Sequence, residues 1–238
     1  MSRKKDIVPE SGKPPALTSS GGEVAAFVDR LRQAPAGGGG RLVFALDATA
    51  SRQPTWDRAS QLQSEMFTAA AGLGGLAVQL VFYRGFRECR ASQWTREASE
   101  LLRRMKKVSC VAGHTQLERV LRHAAREARK ERVSALVFIG DALEERIDDV
   151  GDAAGELGLL GVPCFLFHEG DDPAARRGFE QVAKLTGGAC CRFDANSAEE
   201  LKALLGAVAA YAAGGKAALL AYGQGRRGPV ALLTQQVR

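Results

Sequence analysis

The feature that most limits what this chain can fold into is an alternation. Short apolar runs are separated by segments with helical spacing. RLVFALD (41–47), LAVQLVFY (76–83), RVSALVFIGD (132–141), VPCFLFH (162–168) and ACCRF (189–193) read as strands. Between them, 55–73 carries Trp56, Ala59, Leu62, Met66, Phe67 and Ala70 on one stripe, and 116–131 carries Leu117, Val120, Leu121, Ala124 and Ala128. Residues 95–107, 144–159, 173–186 and 197–213 also read as helices. The third of these is predicted to stop at Gly187-Gly188, and the last to start at Asn196 or Ser197 with Glu199 and Glu200 in its first turn. RGFRECR (84–90) predicts a tight turn and a short return strand. Strands separated by helices predict an α/β fold. The expected sheet is doubly wound, six-stranded and mostly parallel, with one short antiparallel strand and helices on both faces.

Sheets of this kind bind ligands beyond the carboxyl ends of their strands, where the strand order reverses. Two carboxylates stand at such ends, Asp47 in LVFALDATAS and Asp141 in FIGD. Asp47 is followed by hydroxyls at alternate positions, Thr49 and Ser51, and Thr115 in AGHTQ precedes a helix. Two carboxylates and three neutral hydroxyls are hard donors of the kind magnesium prefers, and they leave such an ion short of protein ligands. An acidic ligand from outside would complete it.

The set Asp47-x-Thr49-x-Ser51, Gly113-His114-Thr115 and Gly140-Asp141 resembles the metal-ion-dependent adhesion site of von Willebrand factor A domains, whose pattern is Asp-x-Ser-x-Ser, a distant Thr and a distant Asp. The resemblance runs from residue 41 to about 208. It includes the return strand and the late stretch GVPCFLFHEG…FEQVAKLTGGACCRFD. Two positions depart from the pattern: Thr49 stands where the family has Ser, and Ala142 follows Asp141 where Gly is usual. The resemblance implies one Mg2+ or Mn2+ held by Asp47, Thr49, Ser51, Thr115 and Asp141, with a partner's Asp or Glu completing the shell. It also implies a binding role of the bacterial intracellular type, with an AAA-type ATPase or other assembly factor as partner by analogy.

Rival chemistries have weaker support. A metal-assisted hydrolase at the same crevice needs a nucleophile or base beside the ion, and none is marked. A phosphatase of the haloacid dehalogenase kind starts from Asp-x-Asp, and position 49 is Thr. GGGGRLVF precedes a strand instead of following one, so it is no nucleotide-binding loop. The chain is therefore read as a binding protein and not an enzyme.

The net charge of +6 sits at the ends. Residues 1–15 carry +2 and residues 214–238 carry +4, leaving 16–213 neutral. A basic tail permits a scaffold role on nucleic acid or membrane, but no recognition motif accompanies it and specific nucleic-acid binding is not expected. The expected divisions are 1–40, a basic disordered tail with a short amphipathic helix (23–33) and a Gly linker; 41–213, the α/β domain; and 214–238, a basic extension that either packs back on the domain or docks on a partner. No secretory signal or membrane span is expected. Five cysteines without a Cys-x-x-Cys pair read as reduced thiols acting as small hydrophobes, and the chain as cytoplasmic. Of the remaining singular residues, His114 is expected in a loop beside the site and His123 solvated on its helix. Trp94 is expected as a packing anchor at a helix start. His168 is expected to face Glu169, Asp171 and Asp172 in an acidic loop that is simply solvated.

Overall fold

A computed structural model of the chain describes residues 40–52, 76–193 and 198–237. The expected helices at 23–33 and 55–73, the Gly linker and the cap at Asn196 or Ser197 lie outside the described residues. Six strands form one sheet in the order β3-β2-β1-β4-β5-β6. They are β1 (Arg41–Asp47), β2 (Ala77–Arg84), β3 (Glu88–Ala91), β4 (Ala135–Gly140), β5 (Cys164–Glu169) and β6 (Ala189–Phe193). All pairings are parallel except β2–β3, which is the expected return strand. The helices are α1 (Ala98–Met105), α2 (Leu117–Lys130), α3 (Ile147–Leu159), α4 (Pro173–Thr186), α5 (Ala198–Gly223) and α6 (Pro229–Gln236).

The central strands are apolar on both faces because both faces are covered. Leu42, Phe44 and Leu46 of β1 pack on one side with Leu101 and Met105 of α1, Leu204 and Val208 of α5, and Leu233 of α6. Val43 and Ala45 pack on the other with Val120 of α2, Val150 of α3 and Phe179 of α4. Cys191 joins the first cluster and Cys190 packs against the second, as alternation along a strand requires. All five cysteines are free, and burial pushes the Cys164, Cys190 and Cys191 thiols up to about 12, which makes them poor nucleophiles.

The C-terminal segment resolves the alternative left open by its sequence: it packs back. The helix expected to end at 213 resumes across a break, because Gly214 and Gly215 leave helical geometry and Gly215 takes φ 67°, a conformation that suits glycine. The stretch Glu200–Gly223 is long and apolar enough to cross a membrane by length and composition, against the expectation that no such stretch exists. Its Leu201, Leu204, Leu205 and Val208 are buried against the sheet, the arrangement of a core helix. α6 then closes the β6 edge. Gln236 Oε1 accepts from Cys190 N at 2.9 Å and Gln236 Nε2 donates to Cys190 O at 3.1 Å, so one side chain stands in for a neighbouring strand.

Two smaller expectations need correcting, and a third gains detail. Trp94 lies ahead of α1, not at its start. It anchors Arg41, whose guanidinium stacks 3.9 Å from the ring centroid, while its indole donates to Glu127 at 2.8 Å. His123 is half-buried instead of solvated, and its Nε2 bonds Gln79 Oε1 at 2.8 Å. His168, near the end of β5, is buried against Phe179, and the Asp172 charge acts on it from the exposed acidic loop. Asp172 of that loop caps α4 through Ala174 N, and Asp171 pairs with Arg192.

Candidate functional site at the strand-order reversal

The strand order reverses between β1 and β4: β1 leads outward to β2, and β4 leads the other way to β5. Asp47 is the last residue of β1, and Asp141 follows the last residue of β4. The topology therefore brings the two carboxylates to one crevice. Gly140, beside them, keeps the gap narrow: a Cβ there would lie 3.7 Å from Asp47 Cβ and 2.7 Å from the Phe138 ring.

Asp47 shapes its own loop. Its Oδ1 accepts from Thr49 N at 2.8 Å, turning the chain out of β1 into a single 3-10 turn at Ala50–Arg52. That turn sets the Thr49 and Ser51 hydroxyl oxygens 3.0 Å apart. Thr49 is buried and Ser51 exposed, so the pair runs from the crevice floor to its rim.

Thr115 arrives from the loop before α2. Val111 N donates to Ala48 O at 3.0 Å and His114 N to Gly85 O at 3.3 Å, tying that loop to the ends of β1 and β2. The approach at Gly113 admits only glycine, since a Cβ would fall 2.0 Å from Gly85 O. Thr115 is then locked to the β4 side by reciprocal bonds. Its amide donates to Glu144 Oε2 at 3.1 Å, and its hydroxyl oxygen accepts from Glu144 N at 2.9 Å. His114 Nδ1 lies 3.2 Å from the same carboxylate, which confirms a loop position beside the crevice. Glu145 accepts from Leu117 N and Glu118 N, each at 2.8 Å, and so caps α2 from outside the helix.

Two carboxylate oxygens remain over. Asp47 Oδ2 and Asp141 Oδ1 are buried and have no hydrogen-bond partner among the described residues. Burial is the largest influence on Asp47 and, with the Asp141 charge, raises its pKa to about 6. The Thr49 hydroxyl and amide, and the Tyr83 hydroxyl, pull against that rise. Tyr83 faces Asp47 across the β1–β2 register; its own pKa is pushed well up, first by burial and then by the Asp47 charge. Its hydroxyl stays outside hydrogen-bond geometry.

No cluster of three His, Cys, Asp or Glu side chains able to hold a metal occurs among the described residues. The crevice set is of another kind, two carboxylates and three hydroxyls, and its chemistry suits a hard cation with water or an outside oxygen in the remaining positions. The unpartnered oxygens fit such a group, because a buried carboxylate oxygen needs a donor or a cation. Three residues of the site were not foreseen. Tyr83 carries no signal in the sequence. Glu144 and Glu145 do, as adjacent acids three and four residues after a strand-end Asp.

No family model matches the sequence, and no curated protein matches it. Solved structures do. A von Willebrand factor type A protein from Catenulispora acidiphila superposes with TM-score 0.61 at 14% identity, over 72% of this chain and 43% of that one. The VWA domain of SpRpn10 superposes with TM-score 0.52 at 10% identity, over 69% of this chain and 95% of that one. The human COPII-coat protein Sec24c superposes with TM-score 0.55 at 10% identity, over 71% of this chain and 32% of that one. The matched region is thus less than half of the first and last of these proteins. With the six-stranded sheet, its one antiparallel strand and the site at the β1–β4 reversal, these likenesses establish that the chain has the von Willebrand factor A fold.

Proposed function

We propose that the chain is a divalent-metal-dependent protein-binding domain. Asp47, Thr49, Ser51, Thr115 and Asp141 hold one Mg2+ or Mn2+, and an Asp or Glu of a partner protein completes the coordination. The observation that carries this reading is the pair of buried, unpartnered oxygens, Asp47 Oδ2 and Asp141 Oδ1, at the strand-order reversal. Bound there, the ion would supply a positive charge that attracts an external carboxylate. The chain's own residues do the rest. Asp47 and Asp141 face the cation, and Thr49 and Ser51 line the approach. Glu144 holds Thr115 in place, and Tyr83 backs Asp47 from the neighbouring strand. The role is adaptor or scaffold, without catalysis, in the cytoplasm. An AAA-type ATPase or another assembly factor is the partner class favoured by the family resemblance.

Affinity capture from a lysate of the source cells, in magnesium and again in EDTA, tests the reading, with Asp47→Ala as control. A partner held only by the unaltered chain in magnesium is the expected result. The same partners retained in EDTA and by Asp47→Ala would overturn the metal bridge. A panel of phosphoester substrates is expected to show no metal-dependent turnover.

A further inference from the structure

A second surface lies beside the crevice, along the β3 edge of the sheet. β3 is the last strand on its side, and α2 runs next to it. Between them is a groove of about 270 Å3, lined by Arg90, Arg119, Arg122 and Arg126 with His123 and Cys89. Positions 119, 122, 123 and 126 recur at helical spacing, so α2 presents them as one stripe. The charges are not all spent within the fold. Arg90 pairs with Glu88, and Arg122 with Glu118 and Glu156. Arg119 and Arg126 are exposed and pair with no carboxylate among the described residues; Arg119 only donates to the Arg87 carbonyl at 3.1 Å. Both guanidiniums also act on the Cys89 thiol, pulling against the rise that burial gives it. The groove is therefore an electropositive channel with two unspent guanidiniums.

We propose that this groove docks an acidic peptide segment in extended form, through carboxylate–guanidinium pairs to Arg119 and Arg126. Guanidinium forks suit carboxylates, and β3, the last strand on its side among the described residues, is an edge of the kind that suits an extended chain. A single-stranded nucleic acid fits less well. Sites for it pair cations with aromatic stacking platforms, and no Phe, Tyr or Trp lines the groove. The groove is joined to the crevice through the turn Gly85–Phe86–Arg87, since Gly85 O accepts from His114 N and Arg87 O from Arg119. One partner segment can reach both surfaces, but the groove requires no metal ion.

The test is fluorescence anisotropy with the full chain in EDTA and low salt, using a labelled peptide of alternating Glu and Gly. Saturable binding that weakens with added salt is expected. Arg119→Glu combined with Arg126→Glu is expected to weaken it about tenfold or more. Arg90→Glu is expected to weaken it less, because Arg90 is already paired. Arg176→Glu with Arg192→Glu, on the opposite edge, leaves it unchanged. Asp47→Ala also leaves it unchanged, which separates this surface from the metal site. Thermal melts confirm that each variant is folded. No saturable binding to the folded unaltered chain would overturn the proposal. So would equal binding by the Arg119/Arg126 variant, or displacement of the peptide by an oligonucleotide at lower concentration than by unlabelled peptide.

Discussion

Asp47 holds the fold and the proposed function in tension. A folded-state pKa raised from 3.8 to about 6 means that the fold favours the protonated carboxyl. That contribution is fully present below pH 3.8 and is lost as pH rises through about 6. At neutral pH the ion-free chain therefore carries a strained carboxylate, at a cost on the order of 2–3 kcal/mol. On the proposed reading, bound Mg2+ would relieve that strain and would need the proton gone. Two predictions follow at this scale. Thermal stabilisation by Mg2+ will be large at neutral pH and will shrink below about pH 6, read from melts across a pH series with and without the ion. Asp47→Asn will raise the melting temperature in EDTA at neutral pH, since it removes a buried charge, and will abolish the response to Mg2+. An inert surface carboxylate would show neither effect.

At the scale of elements, the loop after β4 and the C-terminal helices carry what the sequence hid. Glu145 caps α2 across 27 to 28 residues of chain. Glu145→Ala is expected to cost about 1–2 kcal/mol in chemical denaturation, the loss of an external cap and its two charge-assisted bonds. Leu233 of α6 is fully buried, so Leu233→Ala is expected to cost about 2–5 kcal/mol by the same measurement. A basic extension merely trailing from the domain would tolerate that change. The central strands were legible because both their faces are apolar, and the return strand because RGFRECR reads as a turn between two extended runs. Asp47 and Asp141 were legible as strand ends. The continuation past residue 213 was not, because Gly214-Gly215 reads as a stop and only the conformation of Gly215 lets a helix resume. Glu144 was not legible as the partner of Thr115, because its bonds cross 29 residues and no local pattern encodes them.

For the whole molecule, the sheet sets the order of surfaces. The β1–β4 reversal makes the crevice, the β3 edge leaves a basic groove open beside it, and α6 closes the β6 edge with Gln236. The crevice thus lies mid-sheet, and the groove lies at the β3 end, opposite the closed β6 edge. The claim on which this arrangement depends is that the crevice binds a divalent cation. Calorimetric titration of the full chain with Mg2+ and with Mn2+ at neutral pH tests it most directly, alongside Asp47→Ala and Asp141→Ala. One ion bound per chain, with binding lost in both variants, is the predicted result. No binding to the unaltered chain, or equal binding by the variants, would contradict it.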